Sequence, residues 1–330
     1  MLVLGIESTA HTFGIGVADE NGNLRCEATR SQKDMCILVD EKSVYKPKDG
    51  IVPMEAAEFH RENSAKVLQK IEDKIDLNEV DLIGVSAGPG LPPCLYYGLE
   101  FAEDLAKRLK KPLVGINHCR AHVEIGRILT KAKDPVVLYV SGGNTQIIYE
   151  NNGYRVLGET QDIGIGNAID KLGRVAGLSF PAGPKIEKLA RNGKFVLLPY
   201  SVKGMDLNFS GVLSEAVRRL KNESNKVEDI FYSFQEVCFA MLAEVTERAM
   251  AATEKNELLL VGGVAQNQRL QEMLGVMCEE RNAKLKSVPK EFAGDNGAMI
   301  AITALVDYKN KNIETQKEVK INPNWRIDSI

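Results

Sequence analysis

Leu2-Val3-Leu4-Gly5-Ile6-Glu7-Ser8-Thr9 opens the chain, and Val136-Val137-Leu138-Tyr139-Val140-Ser141-Gly142-Gly143-Asn144-Thr145 restates the same pattern near its middle. Each is a short apolar run closed by a small, polar turn, the signature of a strand entering a hairpin. Further short β-like segments follow both. In the first half they are Thr12 to Ala18 and Leu24 to Thr29, with Asn21-Gly22-Asn23 as a turn. In the second half they are Thr145 to Tyr149 and Tyr154 to Glu159. Two three-stranded meanders are therefore expected.

Working outward, a polar and irregular segment follows the first meander, and a helix begins at Pro53, which suits a first helical turn, and runs towards Ile71. Next come a strand at Val80 to Ser86, a Gly88-Pro89-Gly90 turn, a helix to about Lys110, a strand at Pro112 to Ile116 and a helix from His118 to about Leu129. The second meander is followed by helices, a strand at Leu258 to Val261, a helix, a strand near Lys286 and a last helix. Both halves read βββαβαβα, which predicts a duplicated α/β fold. The length of 330 residues agrees, since surface-to-volume scaling favours two compact units over one core. The expected lobes are residues 1–131 and 132–307. A tail over residues 308–330 either packs on the first lobe or leads to a further domain.

Composition narrows the class. No apolar run approaches a membrane span and no leader-like N-terminus is present, so the reading is a soluble, cytoplasmic chain without a membrane partner. Cys26, Cys36, Cys94, Cys119, Cys238 and Cys278 lack CxxC spacing and read as reduced thiols. A formal charge of −3 argues against nonspecific coating of nucleic acid. Two basic stretches stand out, Lys107, Arg108, Lys110, Lys111, Arg120, Arg127, Lys131 and Lys133 in one and Arg218, Arg219 and Lys221 in the other. The plain reading of each is a solvated helix face.

Backbone amides in a glycine turn can cradle phosphate oxygens, because glycine permits close approach and unpaired amides form an anion nest. The recurrence of such a turn at one topological point suggests two turns clasping one nucleotide, although either alone is a plain hairpin. A third element, Val261-Gly262-Gly263-Val264-Ala265-Gln266-Asn267, follows an apolar strand and opens a helix, where open α/β sheets bind ligands. Asp162-Ile163-Gly164-Ile165-Gly166-Asn167 leads into a helix bearing Asp170, and Phe180-Pro181-Ala182-Gly183-Pro184 into one bearing Glu187. Those carboxylates suit ribose hydroxyls or magnesium, and equally serve as charges complementing a helix dipole.

Only four histidines occur, and two of them stand four apart in Asn117-His118-Cys119-Arg120-Ala121-His122. Residues i and i+4 of a helix share one face, so both imidazoles can reach one metal ion. The spacing is that of HExxH, but Cys119 stands where a metalloprotease needs its general-base Glu. Asp295 is the best further ligand, with Tyr139 beside the glycine turn in support. His11 and His60 read as structural, His11 being the one weak candidate for a base.

Together these stretches, with Lys203-Gly204-Met205-Asp206 and Asp295-Asn296-Gly297-Ala298-Met299, resemble the universal tRNA threonylcarbamoyladenosine transferase family, whose archaeal and eukaryotic members are the catalytic subunit of the KEOPS complex. The resemblance spans nearly the whole chain and is nearest the archaeal branch. It implies a two-lobed actin-like, Hsp70-like ATPase (ASKHA) fold of duplicated RNase H-like domains. It also implies an iron or zinc ion on His118, His122 and Asp295 with Tyr139 beside it, and ATP or threonylcarbamoyl-AMP held by Tyr139, Val140, Ser141, Gly142, Gly143, Asp170, Gly183, Glu187 and Asn267. The implied activity is transfer of threonylcarbamoyl to the adenosine adjacent to the anticodon of tRNAs reading ANN codons. The implied partners are tRNA, an atypical small protein kinase that is fused in some relatives, a small dimerising subunit and a tRNA-binding subunit. The sequence departs from the family at Pro92-Pro93-Cys94-Leu95-Tyr96-Tyr97, at Glu58-Phe59-His60 and at Pro181-Ala182-Gly183-Pro184, none of which removes a proposed metal ligand. A small-molecule kinase or ATPase of the same superfold, and a nucleotide-dependent scaffold subunit, remain the alternatives.

Overall fold

The computed structural model describes residues 1–20, 35–47, 50–222, 226–310 and 318–330. The chain divides into two compact units, Met1–Lys131 with Gly294–Ile330, and Ala132–Ala293. The first runs β1 (Leu2–Glu7), β2 (Thr12–Asp19), β3 (Cys36–Val44), α1 (Pro53–Glu72), β4 (Leu82–Gly88), α2 (Pro92–Leu109), β5 (Leu113–Asn117) and α3 (His118–Thr130). The second runs β6 (Val136–Val140), β7 (Thr145–Glu150), β8 (Tyr154–Glu159), α4 (Ile165–Val175), α5 (Gly183–Ala190), a small ribbon β9 (Val202–Lys203) and β10 (Asp206–Leu207), α6 (Ser210–Leu220), α7 (Val227–Thr253), β11 (Glu257–Val261), α8 (Gln268–Glu280), β12 (Lys284–Ser287) and α9 (Lys290–Ala293). The last helix, α10 (Gly297–Lys309), returns to the first unit.

The duplication holds at the level of pairing. The first sheet is ordered β3-β2-β1-β4-β5 and the second, read in the same sense, β8-β7-β6-β11-β12. In both, the hairpin strands pair antiparallel and the two crossover strands add parallel. Helical crossovers supply the length that parallel neighbours need. Helix starts follow local chemistry. Pro53 occupies the first turn of α1, and Asn117, Asn267 and Asn296 cap α3, α8 and α10 by accepting the amides of Arg120, Leu270 and Met299.

One expected strand cannot be compared, and three other expectations need correcting, the first being the irregular reading of the segment before Pro53. The strand expected over Leu24 to Thr29, with its Asn21-Gly22-Asn23 turn, lies outside the described residues, and the described partner of β2 is β3, inside the segment read as irregular. Its half-buried outer end, Asp40-Glu41-Lys42-Ser43, carries the polar residues that hid the strand.

The second correction concerns the boundary at residue 307, because residues 294–307 belong to the first unit. α10 is apolar around nearly its whole circumference, so its sequence names no packing side, and a helix of that kind is buried wherever space admits it. Gly5 and Gly16 make that space. A Cβ on either would lie 2.2 Å from a backbone amide nitrogen of α10, that of Ala301 or Ala298. The described part of the tail, residues 318–330, packs on the first unit. The Asn322 amide donates to the Ala87 carbonyl at 2.7 Å, and Val319 enters the first core.

The third is redox. Cys94, Cys119, Cys238 and Cys278 are free and buried, Cys26 lies outside the described residues, and Cys36 is disulfide-bonded, so the reading of six reduced thiols fails there. No helix among the described residues is long and apolar enough to cross a membrane.

Candidate functional site

In the first unit, His118 sits in the first turn of α3 and His122 one turn later, while Asp295 immediately precedes the cap of α10. The packing of α10 against α3 brings together residues that lie far apart in sequence. One ligand atom from each of the three lies within 4.8 Å of the others. His122 Nε2 is 3.3 Å and His118 Nε2 3.7 Å from Asp295 Oδ1, with the two imidazoles edge to face. Both histidines are nearly inaccessible, at 6% and 1% exposure. Two buried imidazoles and one half-buried carboxylate, converging, fit a zinc or non-haem iron site with positions left open.

Sequence reasoning missed Glu7. This fully buried carboxylate, at the end of β1, accepts from the Thr9 amide at 2.7 Å and the Thr9 hydroxyl at 2.5 Å through Oε1. Its Oε2 lies 3.0 Å from His118 Nδ1. A carboxylate on the far nitrogen of a ligating histidine fixes the tautomer and frees the other nitrogen for metal. The only signal available was that Glu7 belongs to the Ile6-Glu7-Ser8-Thr9 turn, where a buried acid needs a partner.

Electrostatics follow the same contacts. Burial works against a charged His118, yet the carboxylates of Glu7 and Asp295 overcome it and raise the imidazole to about 9. Burial dominates at His122 and lowers it. Burial also opposes charge on Asp295, but His122 and His118 hold its carboxyl well below the usual range. Lys42 Nζ donates to the Asp295 carbonyl at 3.1 Å, and His11 Nδ1 stands 4.0 Å from Asp295 Oδ2, so His11 adjoins the site. His60 does not join the donor set. Tyr139 belongs to the other unit, fully buried on β6.

The second unit gathers the residues expected at a nucleotide. The turn after β6 closes on itself, the Ser141 amide donating to the Asn144 carbonyl at 2.8 Å and the Asn144 amide to Ser141 Oγ at 3.1 Å, while Gly142 and Gly143 stay exposed. Gly262, at φ +95°, lies so close beneath this strand that a Cβ would meet the Val140 carbonyl at 2.2 Å and the Tyr139 ring at 3.2 Å. Asp170 Oδ1 accepts from the Ala182 amide at 2.7 Å, just before Gly183 opens α5. Glu187 Oε1 accepts from the Gln268 amide at 3.1 Å, and Asn267 Nδ2 donates to Gln235 Oε1 at 2.9 Å. A hollow lined by Glu187, Arg191, Tyr232, Gln235, Gln268 and Arg269 opens there. Hydrogen bonds thus link the glycine turn to α4, α4 to the start of α5 and α5 to the start of α8, while the hollow itself is lined from α5, α7 and α8.

Two five-stranded α/β sheets of one strand order define a protein of the actin-like ATPase fold. Solved structures carry the same fold: HypF from T. kodakarensis (TM-score 0.63, 16% identity, 94% of this chain and 48% of that one) and the activator of the 2-hydroxyisocaproyl-CoA dehydratase from Clostridium difficile (TM-score 0.54, 13% identity, 96% and 100%). The sequence profile of the tRNA N6-adenosine threonylcarbamoyltransferase family (TsaD) matches residues 36–302. The chain is 51% identical over 333 residues to a tRNA N6-adenosine threonylcarbamoyltransferase of Archaeoglobus fulgidus, covering 100% of this chain and 98% of that one. It is 48% identical to a probable bifunctional tRNA threonylcarbamoyladenosine biosynthesis protein of Methanocaldococcus jannaschii, covering all of this chain and 60% of that longer one. The chain belongs to the tRNA N6-adenosine threonylcarbamoyltransferase family.

Proposed function

We propose that this chain transfers the threonylcarbamoyl group of threonylcarbamoyl-AMP to the N6 amine of the adenosine adjacent to the anticodon in tRNAs reading ANN codons. The observation that carries the reading is the buried His118–His122–Asp295 set backed by Glu7, in a chain half identical over its length to a relative named for this transfer. A small-molecule kinase of the same fold needs a phosphate cradle but has no use for that donor set.

The amine attacks the carbamoyl carbon, forming a C–N bond. The bond from that carbon to the phosphate oxygen breaks, AMP leaves with the electron pair, and the proton leaves N6. An iron or zinc ion on His118, His122 and Asp295, with Tyr139 proposed beside it, supplies Lewis acidity to the acyl oxygen when bound. Glu7 keeps His118 oriented with Nε2 available, and burial keeps water from the donors. Tyr139, Val140, Ser141, Gly142 and Gly143 are proposed to hold the phosphate, and Asp170, Gly183, Glu187 and Asn267 the ribose and base of ATP or the adenylate, with or without magnesium. No residue is assigned as base or nucleophile.

The family's name supports tRNA as the substrate, and the longer bifunctional relatives support a further domain working beside this one; the partners proposed for it, in the cytoplasm, are a kinase-type domain and the small dimerising and tRNA-binding subunits of a KEOPS-type assembly. The test is nucleoside analysis of tRNA after incubation with threonylcarbamoyl-AMP and those partners. Native protein should form threonylcarbamoyladenosine and His118→Ala should not, at equal folding by circular dichroism. Transfer by metal-free His118→Ala would refute the proposal, as would a phosphorylated small-molecule product in place of modified tRNA. Transfer by the partners without this chain would leave it a scaffold.

A further inference from the structure

Of the two basic stretches that stand out in the sequence, Lys107, Arg108, Arg120, Arg218 and Arg219 are paired with acids, while Lys110 and Lys111 form no ion pair among the described residues and belong to the first unit, which does not carry the glycine turn after β6. Lys107 lies beside Glu103 and Asp104, Arg108 donates to Glu72, and Arg120 is buried against Asp307. Arg218 and Arg219 share Glu215. A surface that sequence reading passed over lies on the unit that does carry that turn. Lys171 and Arg174 are exposed on α4, and Lys185 and Lys188 are exposed on α5, followed by exposed Arg191. Spacings of three residues put the members of each pair on one helical face. The opposite faces, Ile169 and Leu172 on α4 and Ile186 and Ala190 on α5, enter the core of this unit.

The acids of these helices face elsewhere. Asp170 accepts from the Ala182 amide and Glu187 from the Gln268 amide. Lys185 donates to the neutral Ser179 carbonyl at 2.8 Å. Among the described residues, Lys171 and Lys188 form no ion pair. A chain of net charge −3 therefore presents a cationic face on two short helices that expose no free acid.

We infer that the outer face of α4 and α5 is the docking surface for the phosphate backbone of the tRNA substrate, an inference that rests on the tRNA reading above. Lysines without acid partners displace the counterions that surround a nucleic acid, and this release drives binding. Such contacts set position and leave base choice to the site itself. The placement suits that division. The Gly166 and Asn167 amides in the first turn of α4 donate to the Ser141 and Gly142 carbonyls at 3.1 and 3.0 Å, and the same helix pair carries Asp170, Gly183 and Glu187. RNA held on the outer face lies on the same helices that carry the residues proposed for the nucleotide.

The experiment measures binding of unmodified tRNA to the full chain by fluorescence anisotropy across a salt series. Three proteins are compared: native, Lys171→Gln/Lys185→Gln/Lys188→Gln, and Lys107→Gln/Lys110→Gln/Lys111→Gln, each checked for fold by circular dichroism and for ATP affinity. In the first triple variant the slope of log affinity against log salt should shrink by about 2 to 3, with affinity about tenfold weaker or more near 0.1 M salt, and ATP affinity unchanged. The second triple variant should keep the native slope. An unchanged slope in the first variant, or equal losses in both, overturns the docking surface while leaving the tRNA reading intact. A native chain that binds no tRNA overturns the docking surface, and nucleoside analysis with the partner subunits present then decides the tRNA reading separately.

Discussion

Glu7→Gln isolates the carboxylate that sequence reasoning missed, at nearly constant volume. In the native fold Oε1 accepts two hydrogen bonds from Thr9, and Oε2 faces His118 Nδ1. The Thr9 amide is a donor, so the glutamine carbonyl oxygen must stay on that side and its NH2 must turn to His118. An NH2 facing Nδ1 requires Nδ1 to accept, which places the proton on Nε2, the nitrogen needed for metal. The alternative, two donors in apposition within a fully buried site, costs about 1 to 3 kcal/mol. Either route should weaken metal affinity by about 10- to 100-fold, the usual effect of losing an outer carboxylate, which corresponds to about 1.4 to 2.7 kcal/mol. Competition with a chelator of known affinity, for zinc and for ferrous iron under anaerobic conditions, reads this directly. Retention of native affinity within about twofold, against the expected 10-fold or more, would refute the reasoning.

Burial of His60 lowers its imidazole to about 4, and neither ring nitrogen has a hydrogen-bond partner among the described residues. Its folded value lies below the unfolded value of about 6.5, so this contribution is intact above that pH and is lost as pH falls towards 4, by up to about 3 kcal/mol. Denaturant unfolding at both ends of that window should show less loss in His60→Leu than in the native protein, and equal losses would contradict the assignment. Gly5→Ala forces β1 and α10 apart at a backbone contact and should cost about 3 kcal/mol or more. Gly275→Ala, inside α8 with nothing nearby, should stabilise by up to about 1 kcal/mol, and thermal unfolding of the two variants checks the contrast. Asp307→Ala removes the carboxylate that ties Arg120 of α3 to α10 and leaves Glu124, 3.6 Å from Arg120 Nε, to face the guanidinium, so it should cost about 1 to 3 kcal/mol in a chemical denaturation curve, with Arg120→Met/Asp307→Leu recovering most of it.

Local chemistry decided much of this protein. Alternating apolar runs and turn residues set the elements of both halves, and their repeated order was visible because hairpins and crossovers follow from spacing along the chain. The His118 and His122 pair was equally legible, since helical periodicity alone puts both imidazoles on one face. Asp170, Gly183, Glu187 and Asn267 stood out individually on or before helices that follow glycine-containing turns, but hydrogen bonds such as Glu187 to Gln268, which link these elements, are encoded by no local pattern. β3 was missed because polar residues fill its half-buried outer end. The allegiance of α10 could not be read, because a helix buried on nearly every side has no amphipathic stripe to declare its partner. Tertiary packing alone placed α10 between Gly5, Gly16 and α3, and so delivered Asp295 to the two histidines and Glu7 to the back of His118. The sequence by itself determined which side chains could bind a metal. The three-dimensional fold decided that they meet, because burying α10 at glycine contacts satisfies distances that separation along the chain leaves free.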